Sequence, residues 1–150
     1  MSIERTTVRE LMSTELITIS RHTQCDVAIE LMSSNDVRRL PVVSDSNRLI
    51  GIITLNQAEL ALPTGSSFWS EGEGKLVPPV SDVMTDFVYT IKPDQSVGRA
   101  AQLMAAHKIG ALPVIEEGKL IGILTESDLF RFLADQMPDP EPEPEPVETD

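Results

Sequence analysis

Two apolar runs punctuate the chain, Leu49–Thr54 (LIGIIT) and Leu120–Thr125 (LIGILT). Each is short, aliphatic and closed by a Thr, the pattern of a buried strand that hands over to a helix. Laid over one another, they bring the rest of the chain into register. A shift of 72 superposes Val8, Met12, Thr18, Ile19, Ala28, Leu31, Met32, Leu40, Pro41 and Val42 on Val80, Met84, Thr90, Ile91, Ala100, Leu103, Met104, Leu112, Pro113 and Val114. Past one residue lost from a turn, a shift of 71 superposes Leu49, Ile50, Gly51, Ile52 and Thr54 on Leu120, Ile121, Gly122, Ile123 and Thr125. The chain is a tandem repeat.

The apolar spacing predicts the elements of each copy. Thr7–Glu10 has a capping-box signature, and Val8, Leu11 and Met12 suit a short helix. Leu16–Ile19 and Val88–Ile91 read as short strands. Thr23–Ser34 places Val27, Ala28, Leu31 and Met32 on one helical face, as Ser96–His107 places Val97, Ala100, Leu103 and Met104. Strands Leu40–Val43 and Leu112–Ile115 follow, each with Pro second, which points to a strand edge or start. Ser44–Arg48 and Glu116–Lys119 are turns, and Glu117-Gly118 is a hairpin signal. Helices near Leu55–Ala61 and Glu126–Ala134 close the copies. The fold expected is α+β, built from two β-α-β-β-α repeats.

Residues 1–61 then hold repeat one with its lead-in, 62–79 a linker, 80–137 repeat two, and 138–150 a tail. The linker is rich in Gly, Pro and Ser and contains Phe68-Trp69, expected to pack back over the core, with partner docking as the alternative. The tail alternates Pro and Glu and is expected to be extended, solvated and disordered.

At 150 residues and 41% hydrophobic, the chain supports one compact domain, whereas one copy alone would be marginal. No apolar run reaches the roughly 18–20 residues of a membrane span, and the N-terminus lacks the plan of a secretory signal. The single Cys fits a reducing compartment, so a cytoplasmic protein is expected. Of the net charge of −12, half comes from six acids in 138–150. That balance disfavours nucleic acid as a partner.

Chemistry concentrates at Thr125-Glu-Ser-Asp128. Thr followed three residues on by an acid or amide is a helix cap, and Thr54-Leu-Asn-Gln57 obeys the same rule. Asp reaches less far than Glu or Gln, so the reciprocal bond at Asp128 is expected to be the weaker one. A carboxylate at a helix start can also accept from a vicinal diol, while the amides and dipole there favour a phosphate. Spacing alone favours the cap. His22 and Cys25 lack companions for a zinc site, His107 suits a solvated helix end, and no nucleophile–base pair points to an enzyme. The in-register Met12, Met32, Met84 and Met104 read as core or pocket lining. Tyr89 reads as a packing residue, with base stacking as the alternative.

The repeated order of short strand, helix, Leu-Pro-Val-(Val/Ile), turn and Leu-Ile-Gly-Ile-(Ile/Leu)-Thr resembles a pair of cystathionine-β-synthase-type (CBS) domains, a Bateman module, over about residues 7–135. The resemblance implies two pseudo-symmetric clefts that take adenosine ligands such as AMP, ADP, ATP or S-adenosylmethionine. It also implies a regulatory role towards another protein and pairing into homodimers. Magnesium would accompany a ligand such as ATP, and no obligatory cofactor is implied. Carried over residue by residue, the stronger cleft joins Thr125, Ser127 and Asp128 to Ile17, Thr18, Val37, Arg38 and Arg39. Arg38 and Arg39 would hold phosphate, and alternation along an extended segment would let only one of them reach it. The weaker cleft joins Thr54, Asn56 and Gln57 to Tyr89, Thr90, Ile109, Gly110 and Ala111. There Gln57 replaces the carboxylate, and Gly110-Ala111 supplies no positive charge. A structural dimerisation module without ligand is the alternative.

Overall fold

A computed structural model describes residues 2–63, 77–139 and 141–149; Phe68-Trp69 and most of the linker lie outside them. The elements are α1 (Val8–Leu11), α2 (Cys25–Ser34), β1 (Arg39–Val43), β2 (Leu49–Thr54), α3 (Leu55–Ala61), a 3₁₀ turn (Val80–Asp82), α4 (Val97–His107), β3 (Ala111–Glu116), β4 (Lys119–Thr125) and α5 (Glu126–Asp135). Residues 141–149 carry no helix or strand and are exposed.

Caps set most boundaries. Glu10 accepts from the Thr7 N–H at 2.7 Å ahead of α1, and Ser96 Oγ accepts from the Arg99 N–H at 3.1 Å ahead of α4. Antiparallel pairs β1–β2 and β3–β4 are in equivalent registers, with Leu40 opposite Ile53 and Leu112 opposite Leu124. The second hairpin turns through Glu117 and Gly118, both at positive φ (51° and 80°), the mirror-image turn that suits strand twist. The two short first strands are smaller than expected. Each contributes one parallel bridge, Ile19 to Val42 and Ile91 to Val114. The Pro of each hairpin sits where this bridge begins: Pro41 and Pro113 carbonyls accept from Ile19 and Ile91 N–H groups at 3.1 and 3.0 Å. Pro41 and Pro113 thus stand third in β1 and β3 rather than at the strand edge or start expected, each opposite an Ile of its hairpin, Ile52 or Ile123.

Each repeat has its own apolar cluster. The first contains Ile19, Cys25, Ala28, Met32, Leu40, Val42, Ile53, Ala58 and Val80. The second contains Val8, Ile91, Ala100, Met104, Leu112, Val114 and Leu124. Val8 and Val80 are therefore exchanged: each lead-in packs in the other repeat's core. The backbone repeats the exchange bond for bond. Val8 N–H donates to Gln95 O at 2.8 Å and Val97 N–H to Thr6 O at 2.9 Å; Val80 N–H donates to Thr23 O at 2.7 Å and Cys25 N–H to Pro78 O at 3.0 Å. These bonds satisfy first-turn amides of α2 and α4 that no helix can satisfy internally. Burying each Val adds about 1.5–3 kcal/mol. Burial also pushes the Cys25 thiol pKa up, with Asp26 and Asp82 adding to the effect.

A second exchange follows two residues after α1 and three after the 3₁₀ turn. Ser13 and Ile123 trade two backbone bonds (2.9 and 3.0 Å), as do Thr85 and Ile52 (both 2.9 Å). The residue before each of these partners, Met12 or Met84, lays its sulfur over Gly122 or Gly51. The repeats are thus stitched reciprocally, and past Ser13 the chain returns to the first repeat, where Ile17 and Ile19 join its apolar cluster.

Candidate functional site

That stitching builds a cleft of about 470 Å³ between the copies. Repeat one supplies Glu15, Leu16, Ile17, Asp36, Val37, Arg38, Arg39, Leu40 and Pro41; repeat two supplies Gly110, Ile123, Thr125, Glu126, Ser127 and Phe130. Of the residues expected here, Ile17, Val37, Arg38, Arg39, Thr125 and Ser127 come together. Thr18 and Asp128 do not line the space.

Both arginines reach the cleft, against the expectation that alternation would admit one. Only Arg39 belongs to the strand, and Asp36 at φ 53° turns the chain just before it. Alternation therefore does not govern Arg38, whose carbonyl is tied to the Leu55 N–H at 2.8 Å.

Asp128 is buried, at 8% exposure. Its Oδ2 accepts from the Thr125 N–H at 2.8 Å and the Thr125 hydroxyl at 3.0 Å, while Oδ1 pairs with Arg131. The Asp128 N–H donates back to Thr125 Oγ1 at 3.3 Å. The short side chain closes the box fully, so the expected weakness of this cap is corrected. The Thr125 bonds to Asp128 at 2.8–3.0 Å pull the carboxylate towards the helix start.

The opposite cleft is smaller, about 340 Å³. It gathers Thr54, Tyr89, Ile109, Gly110 and Ala111, and adds Arg39, Ile52, Thr85, Phe87, Val88 and Lys108. Asn56, Gln57 and Thr90 do not line it. Gln57 is engaged on both sides, accepting from the Thr54 N–H at 3.0 Å and donating to Thr85 Oγ1 at 2.8 Å. Thr90 borders a separate depression beside Leu49–Gly51. Gly110-Ala111 supplies no positive charge, but two neighbours do. Lys108 caps α4 in the left-handed conformation (φ 54°, ψ 47°), and Arg39 lines both clefts. His107 is not simply solvated: its ring stacks on Tyr89 (centroids 3.8 Å apart, 18°), and Phe87 meets Tyr89 edge-on at 5.5 Å.

Sequence reasoning missed Glu15, Glu126 and Phe130. Phe130 stands one helical turn past Ser127 and Glu126 and is 62% exposed, so its spacing from the cap was the one signal available. Among the described residues, no group of three or more His, Cys, Asp or Glu is placed to hold a metal ion. Nor is any described helix long and apolar enough to cross a membrane.

The family model for the CBS domain matches residues 8–58 and again 80–135. The chain belongs to the CBS-domain family. A CBS domain-containing protein of Dictyostelium discoideum is 40% identical over 132 residues, covering 84% of this chain and 90% of its own length. Some relatives are longer: the chain spans 25% of two homoserine O-acetyltransferases and 42% of the uncharacterized protein MJ1225 of Methanocaldococcus jannaschii, against 81% of the CBS domain-containing protein YhcV of Bacillus subtilis. Among solved structures, CBSX2 in complex with AMP superposes with a TM-score of 0.73 at 29% identity, covering 87% of this chain and 97% of that one. The CBS domain pair of MJ0100, in complex with 5′-methylthioadenosine and S-adenosyl-L-methionine, superposes at 0.71 with 26% identity, over 85% and 99%. The α+β fold of two β-α-β-β-α repeats is thus that of a CBS pair, and CBS pairs of this fold carry adenosine ligands.

Proposed function

We propose that this chain is a regulatory module that binds an adenosine ligand in the larger cleft and changes the surface it offers a partner. One observation carries the reading: a cleft whose hydroxyls come from the second repeat and whose guanidinium groups come from the first. A ligand bridging the two acts as a clamp across the pseudo-symmetric junction. Arg38 and Arg39 hold its anionic end by charge-assisted bonds. Thr125 and Ser127 meet the ribose, and Asp128, which sits behind Thr125 and outside the lining, turns Oδ1 from the exposed Arg131 to the diol while Oδ2 keeps the cap. The apolar wall of Leu16, Ile17, Val37 and Phe130 takes the base. Relatives of this fold solved with AMP and with S-adenosylmethionine support the ligand class.

The smaller cleft takes ligand more weakly, because Gln57 is occupied with Thr54 and Thr85 and no carboxylate replaces it. The active unit is a cytoplasmic homodimer that acts on a separate protein rather than an enzyme, and magnesium enters only with ATP. A calorimetric panel of AMP, ADP, ATP and S-adenosylmethionine tests the reading: at least one binds below millimolar concentration. Absence of heat from all four at millimolar ligand overturns it.

The engagement of Asp128 by its own helix end favours a second reading, a structural dimerisation module. Thermal unfolding separates the two. Ligand at a hundred times its Kd adds about 2.7 kcal/mol to the folded state only if it binds there.

A further inference from the structure

Glu126 opens α5 directly after the capping Thr125, is exposed, and lines the larger cleft. Arg39 lines the same cleft from the first repeat and is half-buried. Gly110 lies between them. A Cβ built on Gly110 would strike Glu126 Oε1 and come within 3.1 Å of Arg39 Nη1. The missing side chain is what lets a carboxylate and a guanidinium converge over one patch of backbone. The Glu126 N–H donates to the Gly110 carbonyl at 3.0 Å, fixing the helix start over that patch. Yet no ion pair joins Glu126 to Arg39 among the described residues.

The other charged groups of the cleft are Glu15, Asp36 and Arg38, so three carboxylates face two guanidinium groups. A polyphosphate entering this space brings charge of the sign already in excess, and laid on Arg39 it meets the like charge of Glu126 across Gly110. A ligand end that carries a cation beside a carboxylate meets both: the carboxylate lies on Arg39 and the cation on Glu126. Neither protein group then has to be displaced.

We propose that Glu126 determines specificity in the larger cleft, selecting adenosine ligands whose 5′ substituent holds a positive centre beside its anion, the sulfonium amino acid class, over nucleoside polyphosphates. The inference rests on the adenosine reading of the cleft. An exposed charge pair is worth about threefold in affinity, and the effect has opposite signs for the two ligand classes. Glu126→Gln therefore shifts their affinity ratio about tenfold.

The test titrates S-adenosylmethionine, S-adenosylhomocysteine and ATP into the full chain and into Glu126→Gln. S-adenosylhomocysteine lacks the sulfonium charge but keeps the α-ammonium beside the carboxylate, so the wild-type comparison with S-adenosylmethionine reads the sulfonium alone, and the comparison with ATP reads the zwitterionic end against a polyphosphate. The expected order is S-adenosylmethionine, then S-adenosylhomocysteine, then ATP, with the first weakened and the last tightened in Glu126→Gln. Wild-type chain that binds ATP more tightly than S-adenosylmethionine overturns this inference alone, as does an unchanged ratio in the variant. Failure of all three ligands to bind overturns the adenosine reading and takes this inference with it.

Discussion

Gly122→Ala is expected to lower stability by about 1–3 kcal/mol, as overpacking a well-filled core does. The added Cβ would lie 2.6 Å from Met12 Sδ and 3.0 Å from the Ser13 carbonyl. The sulfur can swing away, but the carbonyl cannot, because it holds the Ile123 N–H at 3.0 Å. Relief requires undoing the stitch between α1's tail and β4. At about 2–4 °C per kcal/mol for a chain of this size, the midpoint falls by roughly 4–8 °C for a 2 kcal/mol loss. Adding Met12→Ala recovers only part, since the carbonyl stays in place. Unfolding at the parent temperature would show that the lead-in is not seated as described. Gly51 meets Met84 and the Thr85 carbonyl in the same way, so Gly51→Ala behaves alike.

This exchange shows where the sequence is legible and where it is not. Helix starts were readable because capping is local: Thr7, Thr54, Ser96 and Thr125 each act within three residues. The hairpins were readable because alternation and turn chemistry are local too. Lead-in docking is different. Val8 and Val80 carry the same side chain in the same repeat position, so the pattern is equally content with either core. Only the three-dimensional path decides that Val8 enters the second cluster and Val80 the first. The cleft follows the same division. Thr125, Ser127, Arg38 and Arg39 could be named from their motif, whereas the meeting of Arg39 and Glu126 over Gly110 is a tertiary event with no local signature.

Asp128→Ala is expected to weaken adenosine ligands at least tenfold, while Gln57→Ala leaves them nearly unchanged. A carboxylate that accepts from a diol contributes about 1.5–3 kcal/mol relative to an unmet partner, or one to two decades. The same substitution removes the bond to the Thr125 N–H and the negative charge on the first turn of α5. That costs roughly 1–2 kcal/mol of stability. Asp128→Asn separates the two roles. Its amide oxygen still accepts from Thr125, so the helix start survives, while the loss of charge weakens the diol contact. Gln57→Ala gives up its own cap and the bond to Thr85 without touching the larger cleft. Calorimetry on the three variants, with thermal unfolding alongside, checks this; equal losses of affinity at Asp128 and Gln57 would remove the ranking of the clefts.

The most direct measurement is a titration of the full chain with AMP, followed through backbone amide shifts. Val37, Arg38 and Arg39 from one repeat and Thr125, Glu126 and Ser127 from the other should move together, with a common midpoint. Shifts confined to one repeat, or spread over the exposed faces of α4 and α5 with these six unmoved, would contradict a ligand held across the junction.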